Sequence, residues 1–181
     1  MAYYFIQNGV DKEDVDTITR LCKGVEVSIS YENGEQQVIL NGENITGFIR
    51  QEAVGNMASA TSVYPVVREK LVELQRQLAA RENVVMDGRD IGTVVLPDAN
   101  VKIFLTASSK VRAKRRFDEL TAKGESCDID AIEKDIIERD HRDMTRETSP
   151  LKQADDAVLL DSSDMTIDEV VDKMKQLVKE A

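Results

Sequence analysis

The chain has 181 residues, 41% of them hydrophobic and 32% charged, which suits one sizeable core and is too apolar for a disordered segment. Against 34 Asp and Glu stand 24 Lys and Arg; the net charge of −10 excludes a general nucleic-acid-binding surface but leaves room for a local basic pocket around a small anion. No apolar run is long enough to span a membrane, no signal-peptide pattern opens the chain, and Cys22 and Cys127 lack metal-ligand spacing, so two reduced structural thiols in a cytoplasmic protein are expected.

In chain order, Met1 to Gln7 reads as an apolar helix closed by Asn8-Gly9. Asp11 is expected to cap a helix from Lys12 to Leu21. The period then changes: Val25, Val27, Ile29 and Tyr31 alternate with polar residues, and Asn33-Gly34 and Asn41-Gly42 separate short β-prone runs. That pattern predicts a small three-stranded antiparallel sheet inserted over residues 25–46. A helix is expected over Ile49 to Ser62. Pro65 opens another that runs to Ala80, with Val67, Leu71, Leu74 and Leu78 on its apolar face.

The apolar run at Val84 reads as a buried strand that ends in Asp87-Gly88-Arg89-Asp90. Such strand ends are where open α/β sheets bind ligands. Gly88 and Gly92 permit a tight turn or a close approach. Arg89 offers a planar fork for phosphate or carboxylate, and Asp90 offers acceptors to an amine or hydroxyl. Asp87 has the chemistry to hold a metal through water. An ordinary polar turn, with Arg89 paired to an acid, explains the same residues. Further strands are expected at Val101 to Leu105 and Ala157 to Asp161, and helices at Ser109 to Ala122 and Asp130 to Met144. Thr166 and Glu169 form a capping box for a last helix, in which Ile167, Val170, Val171, Met174, Leu177 and Val178 are expected to face a core. Strands alternating with helices predict an α/β fold with a parallel sheet flanked by helices.

Two basic groups stand out. Arg139, Arg142 and Arg146 have i, i+3, i+7 spacing, which on a helix confines them to roughly one sixth of the circumference. Three guanidinia on one face suit a polyphosphate or its transferring phosphoryl group; an exposed helix laced with ion pairs to Glu138 and Asp140 is the alternative. The second group is Arg112, Lys114, Arg115 and Arg116, which a solvated helix face also explains. His141, the single histidine, has no acid-base partner in the sequence.

The segment Asp87-Gly88-Arg89-Asp90-Ile91-Gly92-Thr93-Val94-Val95-Leu96-Pro97-Asp98-Ala99 resembles the signature of the bacterial cytidylate (CMP) kinase family. So do Gly55-Asn56-Met57-Ala58-Ser59, Pro65-Val66-Val67-Arg68-Glu69, and Arg139 to Arg146 followed by Ser149-Pro150-Leu151. The resemblance runs from Met1 to the last helix. It implies a nucleoside-monophosphate-kinase fold with core 1–24 and 47–181, a lid about 108–150 and the insertion 25–46. It implies transfer of the γ-phosphoryl group of ATP, with Mg²⁺, to CMP or dCMP, and a monomeric full-length protein. Ser59, Arg68 and Asp90 would recognise cytosine. Arg89 and Arg146 would hold the CMP phosphate, and Arg139 and Asp143 the ribose. Arg139, Arg142 and Arg146 would serve catalysis, and Arg142 together with Arg112, Arg115 and Arg116 would belong to the lid over ATP. No residue is assigned to the metal.

The family also opens with a strand and a Gly-rich phosphate loop ending in Gly-Lys-Ser/Thr. These 181 residues contain no G-x-x-x-x-G-K-[ST]; Gly42 to Gly47 has the glycine spacing but continues into Phe48-Ile49. An incomplete P-loop fold is therefore expected, with little catalysis, low stability, self-association, or direct pairing of the strands at Val84 and Val101. Two readings stay open: a CMP kinase whose sequence extends upstream, and a non-catalytic nucleotide-binding or interaction remnant.

Overall fold

Two Asn-Gly pairs fix the register of the first sheet. Asn33 and Gly34 take φ of 53° and 81°, Asn41 and Gly42 φ of 48° and 85°, the left-handed pairs that tight hairpins need. They join β1 (Val27–Glu32), β2 (Glu35–Leu40) and β3 (Glu43–Asn44) in antiparallel order β1-β2-β3, as the sequence leads one to expect. The Asn41 Oδ1 accepts from the Glu26 amide at 2.7 Å, extending the β1–β2 ladder beyond Val27, and the Thr46 hydroxyl oxygen accepts from the Val38 amide at 2.8 Å, extending the β2–β3 ladder past the short β3.

The structure is a computed structural model describing residues 1–181, and the chain divides into two units, Met1–Val85 and Met86–Ala181. In the first, α1 (Ala2–Gln7) ends at Asn8 with Gly9 at φ 64°. Phe5 from α1 is fully buried with Val10, Ile18, Cys22 and Val67. A second cluster joins Val25, Leu40, Ile45 and Leu74 beneath the small sheet. Burial pushes the Cys22 thiol above its ordinary range, and both cysteines are free.

α2 (Val15–Cys22) starts later than expected because Asp14, not Asp11, caps it: the Asp14 carboxylate accepts from the Thr17 amide at 3.0 Å. Asp11 instead closes a short turn on the Glu13 amide at 2.9 Å. Either aspartate can accept from an amide two or three residues on, so sequence alone does not rank them. α3 spans Glu52–Thr61, and α4 (Pro65–Ala79) carries Pro65 in its first turn. Val67 and Leu74 of α4 are buried, whereas Leu71 is exposed.

In the second unit, β4 (Ile103–Thr106) pairs in parallel with β5 (Val158–Asp161), Ile103 opposite Val158. α5 (Ser109–Ala122) and α6 (Ile129–Thr145) follow β4, and α7 (Ile167–Glu180) follows β5. Ser108, Asp128 and Thr166 cap the three helices with their side chains. The Thr166–Glu169 capping box forms as expected, satisfying two amide donors at once. Thr166→Ala is expected to cost about 1 kcal/mol, read as a lower urea midpoint with an unchanged slope.

Three expectations fail here. Residues 83–87 form no strand, and Val85 is fully exposed. A strand exists through its partner's hydrogen bonds, and β4 pairs only with β5, so neither the buried strand at Val84 nor its direct pairing with the strand at Val101 is present. The parallel sheet has two strands, and Leu105 and Leu159 face outward, exposed. Lastly, α7 buries no residue. Val170, Met174 and Leu177 form a half-buried stripe, while Ile167, Val171 and Val178 are exposed. No helix is long and apolar enough to cross a membrane.

Candidate functional site

The loop that carries Arg89 and Asp90 owes its shape to the turn on its C-terminal side. Residues Ile91–Val95 form a single π-helical turn: the Val95 amide donates to the Asp90 carbonyl at 3.2 Å and the Leu96 amide to the Ile91 carbonyl at 2.7 Å. Such wide turns recur at functional sites. Gly88 is required by space, since a Cβ there would lie 2.8 Å from the Ile91 Cγ1, a stiff β-branched atom that cannot swing away cheaply. Beyond the turn, the Lys102 ammonium donates to the Pro97 carbonyl and, at 2.6 Å, to Asp156 Oδ2, while its stem packs against Gly92. No sequence motif singles out Lys102. Its contacts pin the far end of the loop to the residue preceding β4.

α6 brings the opposing residues. The expected trio of arginines on one helical face is not what forms. Arg139 and Arg142 are exposed on α6, but Arg146 is the residue after the helix, with φ −62° and ψ 142°. Ser149-Pro150 lies just beyond, and the chain must turn back, with Ser149 at φ 51°. The Arg146 Nε donates to the Ser149 carbonyl at 2.7 Å, and the Leu151 amide donates to the Asp143 carbonyl at 2.8 Å. The guanidinium of Arg146 thereby swings toward Asp143, 3.9 Å from Nη1 to Oδ1. The other oxygen of Asp143 accepts from Arg89 Nε at 2.9 Å. The structure thus gathers Arg89, Asp143 and Arg146 around one carboxylate, although Arg89 and Asp143 lie 54 positions apart in sequence.

Asp140 takes a different partner from the neighbouring arginines of its own helix. Arg112 of α5 grips it with both terminal nitrogens, Nη1 to Oδ1 at 3.1 Å and Nη2 to Oδ2, while its Nε donates to the Ala107 carbonyl at 3.0 Å. Ser109 adds a bond to Glu133 at 2.7 Å, so α5 and α6 are tied at two levels. The hydrogen bonds from Arg112, joined by the nearby charges of Arg112, Arg89 and Arg139, hold the Asp140 carboxyl below its usual range. A depressed carboxylate contributes stability above its ordinary pKa and loses it as pH falls through the depressed value. The contribution is therefore expected to vanish on acidification below about pH 4, and to stay under about 1 kcal/mol because both groups meet solvent. Urea melts of the wild type and Asp140→Asn should converge as pH drops through that window.

The remaining members of the second basic cluster are engaged too. Arg115 donates to the carbonyls of Ser162 and Met165 at 2.6 and 3.2 Å, closing the turn between β5 and α7. Arg116 pairs with Glu119 at 2.8 Å, and Lys114 with Asp118. In the first unit, Ser59 is exposed on α3 and Arg68 is half-buried near the start of α4. His141 is exposed, its carbonyl accepting from the Thr145 hydroxyl. Asp87 is exposed, and no three His, Cys, Asp or Glu side chains gather as a metal-binding set.

The comparisons with known proteins agree over nearly the whole chain. The family model described as cytidylate kinase matches residues 1–180. The cytidylate kinase of Lactobacillus johnsonii is 48% identical over 172 residues, which are 95% of this chain and 75% of the relative. That of Bacillus licheniformis is 46% identical over 180 residues, 98% of this chain and 79% of the relative. That of Streptococcus pneumoniae is 47% identical over 176 residues, covering 97% and 79%.

Proposed function

The chain belongs to the cytidylate kinase family, and from that premise we propose that its residues recognise CMP and dCMP as acceptors of the γ-phosphoryl group of ATP. The observation that supports the reading most is the gathering of Arg89, Asp143 and Arg146 around one charged position. In the proposal the CMP phosphate takes the two guanidinia, whose planar forks match its oxygens. Asp143 and Arg139 meet the ribose hydroxyls. Asp90 meets the cytosine ring, where a carboxylate accepts from the exocyclic amine that uracil lacks; the family resemblance gives Ser59 and Arg68 to the same base. Arg142, exposed one turn along from Arg139, is the residue proposed to offset charge on the transferring group.

The donor side fits less well. ATP needs a cradle of amide donors and a lysine, and these 181 residues carry no G-x-x-x-x-G-K-[ST]. Arg112, Arg115 and Arg116, which the family resemblance gives to ATP, already serve Asp140, two carbonyls and Glu119. Mg²⁺ is ordinarily held by phosphates, waters and one or two carboxylates, so it would arrive with ATP. We propose accordingly that these residues by themselves hold the acceptor and transfer little phosphoryl. The second reading, nucleotide binding without catalysis, rests on the same missing motif. Equilibrium dialysis with labelled CMP, dCMP and UMP tests the first part: the two cytosine nucleotides should be retained and UMP not, and equal retention of all three contradicts it. For the second part, ATP and CMP given to the 181-residue chain should yield no CDP at kinase rates, which run at about 1–100 per second; such turnover would overturn it.

A further inference from the structure

We infer that Asp143 is an internal stand-in for the substrate phosphate, so that its release couples recognition of the phosphate to recognition of the ribose and the affinity for nucleosides is held down. Asp143 plays this part within the proposed acceptor role, on which the inference rests.

The charges make the case. In this structure one carboxylate, with one negative charge, lies between two guanidinia: Arg89 Nε at 2.9 Å from one oxygen and Arg146 Nη1 at 3.9 Å from the other. Arg89, Asp143 and Arg146 together keep one net positive charge, while the nearby Asp140 is paired with Arg112. A phosphate monoester near pH 7 carries between one and two negative charges and three acceptor oxygens, so it satisfies both forks better than the carboxylate does. One of the two arginines is held ready for the exchange. Arg146 is aimed by its bond to the Ser149 carbonyl, and the Asp143 backbone is fixed by the Leu151 amide. Asp143 needs only a side-chain rotation to let go. The site is also open to an anion, the Arg89 side chain being 42% and Asp143 20% exposed.

The consequence is reciprocal. A phosphate that takes Arg89 and Arg146 frees Asp143 to accept from a ribose hydroxyl, and by linkage a hydroxyl that holds Asp143 makes both arginines easier for phosphate to reach. Cytidine, which brings no phosphate, must break the Arg89–Asp143 pair with nothing to put in its place, leaving charges unpaired. The pair thus holds the affinity for a nucleoside down, whereas a nucleotide offsets the cost through its phosphate, a role distinct from the base contacts.

The probe is inorganic phosphate, followed by NMR of the arginine Nε–H groups in the full chain at fixed pH and ionic strength, with CMP and cytidine as parallel titrants. Asp143→Asn keeps the shape and removes the competing charge. It is expected to tighten phosphate binding about tenfold, the size of one lost charge-assisted competitor at a partly exposed site, and to tighten cytidine binding by a similar factor, since neither ligand then has to break the pair. Unchanged or weaker phosphate binding overturns the stand-in role. Should Asp143→Asn fail to fold, the wild type decides alone: saturating phosphate must shift the Arg89 Nε–H resonance, and a resonance that stays fixed overturns the inference. A wild type that binds phosphate with these responses but shows no CMP binding would refute the acceptor role while leaving the exchange at Asp143 standing.

Discussion

Asp90→Asn is expected to weaken CMP binding about a hundredfold and to erase the preference for cytosine over uracil. The carboxylate offers only acceptors, so it can take a hydrogen from the cytosine amine but repels the carbonyl oxygen that uracil presents at the same ring position. An asparagine can turn its amide NH2 toward that oxygen as a donor, so UMP should lose much less than CMP or even gain. The loop should survive the change. Its π-helical turn is built on the Asp90 backbone carbonyl, and the two side chains have nearly the same volume. Calorimetric titration of CMP and UMP into both proteins reads the effect, and it is the ratio that matters. A ratio left intact, with both nucleotides weakened alike, would move Asp90 from base recognition to loop architecture.

Arg89→Ala should be nearly as damaging, by a different route. It removes one of the two proposed phosphate forks and leaves Asp143 with Arg146 alone, at the longer 3.9 Å separation. Charge-assisted bidentate contacts are worth roughly twice a neutral hydrogen bond, so a loss in CMP affinity of about a hundredfold is expected. Arg89→Lys should recover only part of it, because an ammonium keeps the charge and loses the planar fork. The discriminating quantity is the affinity ratio of CMP to cytidine, which should fall steeply toward one. If CMP and cytidine weaken in parallel, Arg89 acts on the fold of the loop and not on the phosphate. Circular dichroism of the variant settles folding independently, since Arg89 is partly exposed and outside any helix or strand.

What could be read from the sequence was local. The two Asn-Gly turns, the helix Ser109–Ala122, the Pro65 start and the Thr166–Glu169 box are decided by residues within a turn or two of each other, and they stand where the pattern puts them. Failures came where an element depends on distant partners. The run at Val84 has the apolar character of a strand but no ladder to join. The hydrophobic residues of α7 have a helical period wider than the surface available to them, so half remain exposed. At the site, the motif residues were legible one by one, and their grouping was not. Helical spacing put Arg146 beside Arg139 and Arg142, whereas the turn through Ser149 removes it from the helix and hands it to Asp143. Arg112 looked like surface charge, and its fork on Asp140 across to α6 depends on packing that spacing on α5 cannot reveal.

The claim that the loop after Gly88 and the end of α6 form one CMP-binding place has a direct test. CMP titrated into the uniformly ¹⁵N-labelled chain should perturb the amides of residues 88–93 and of residues 139–151 together, saturating at one common concentration, with UMP producing far smaller shifts. Perturbations confined elsewhere, or a CMP response that UMP reproduces in full, would contradict the claim.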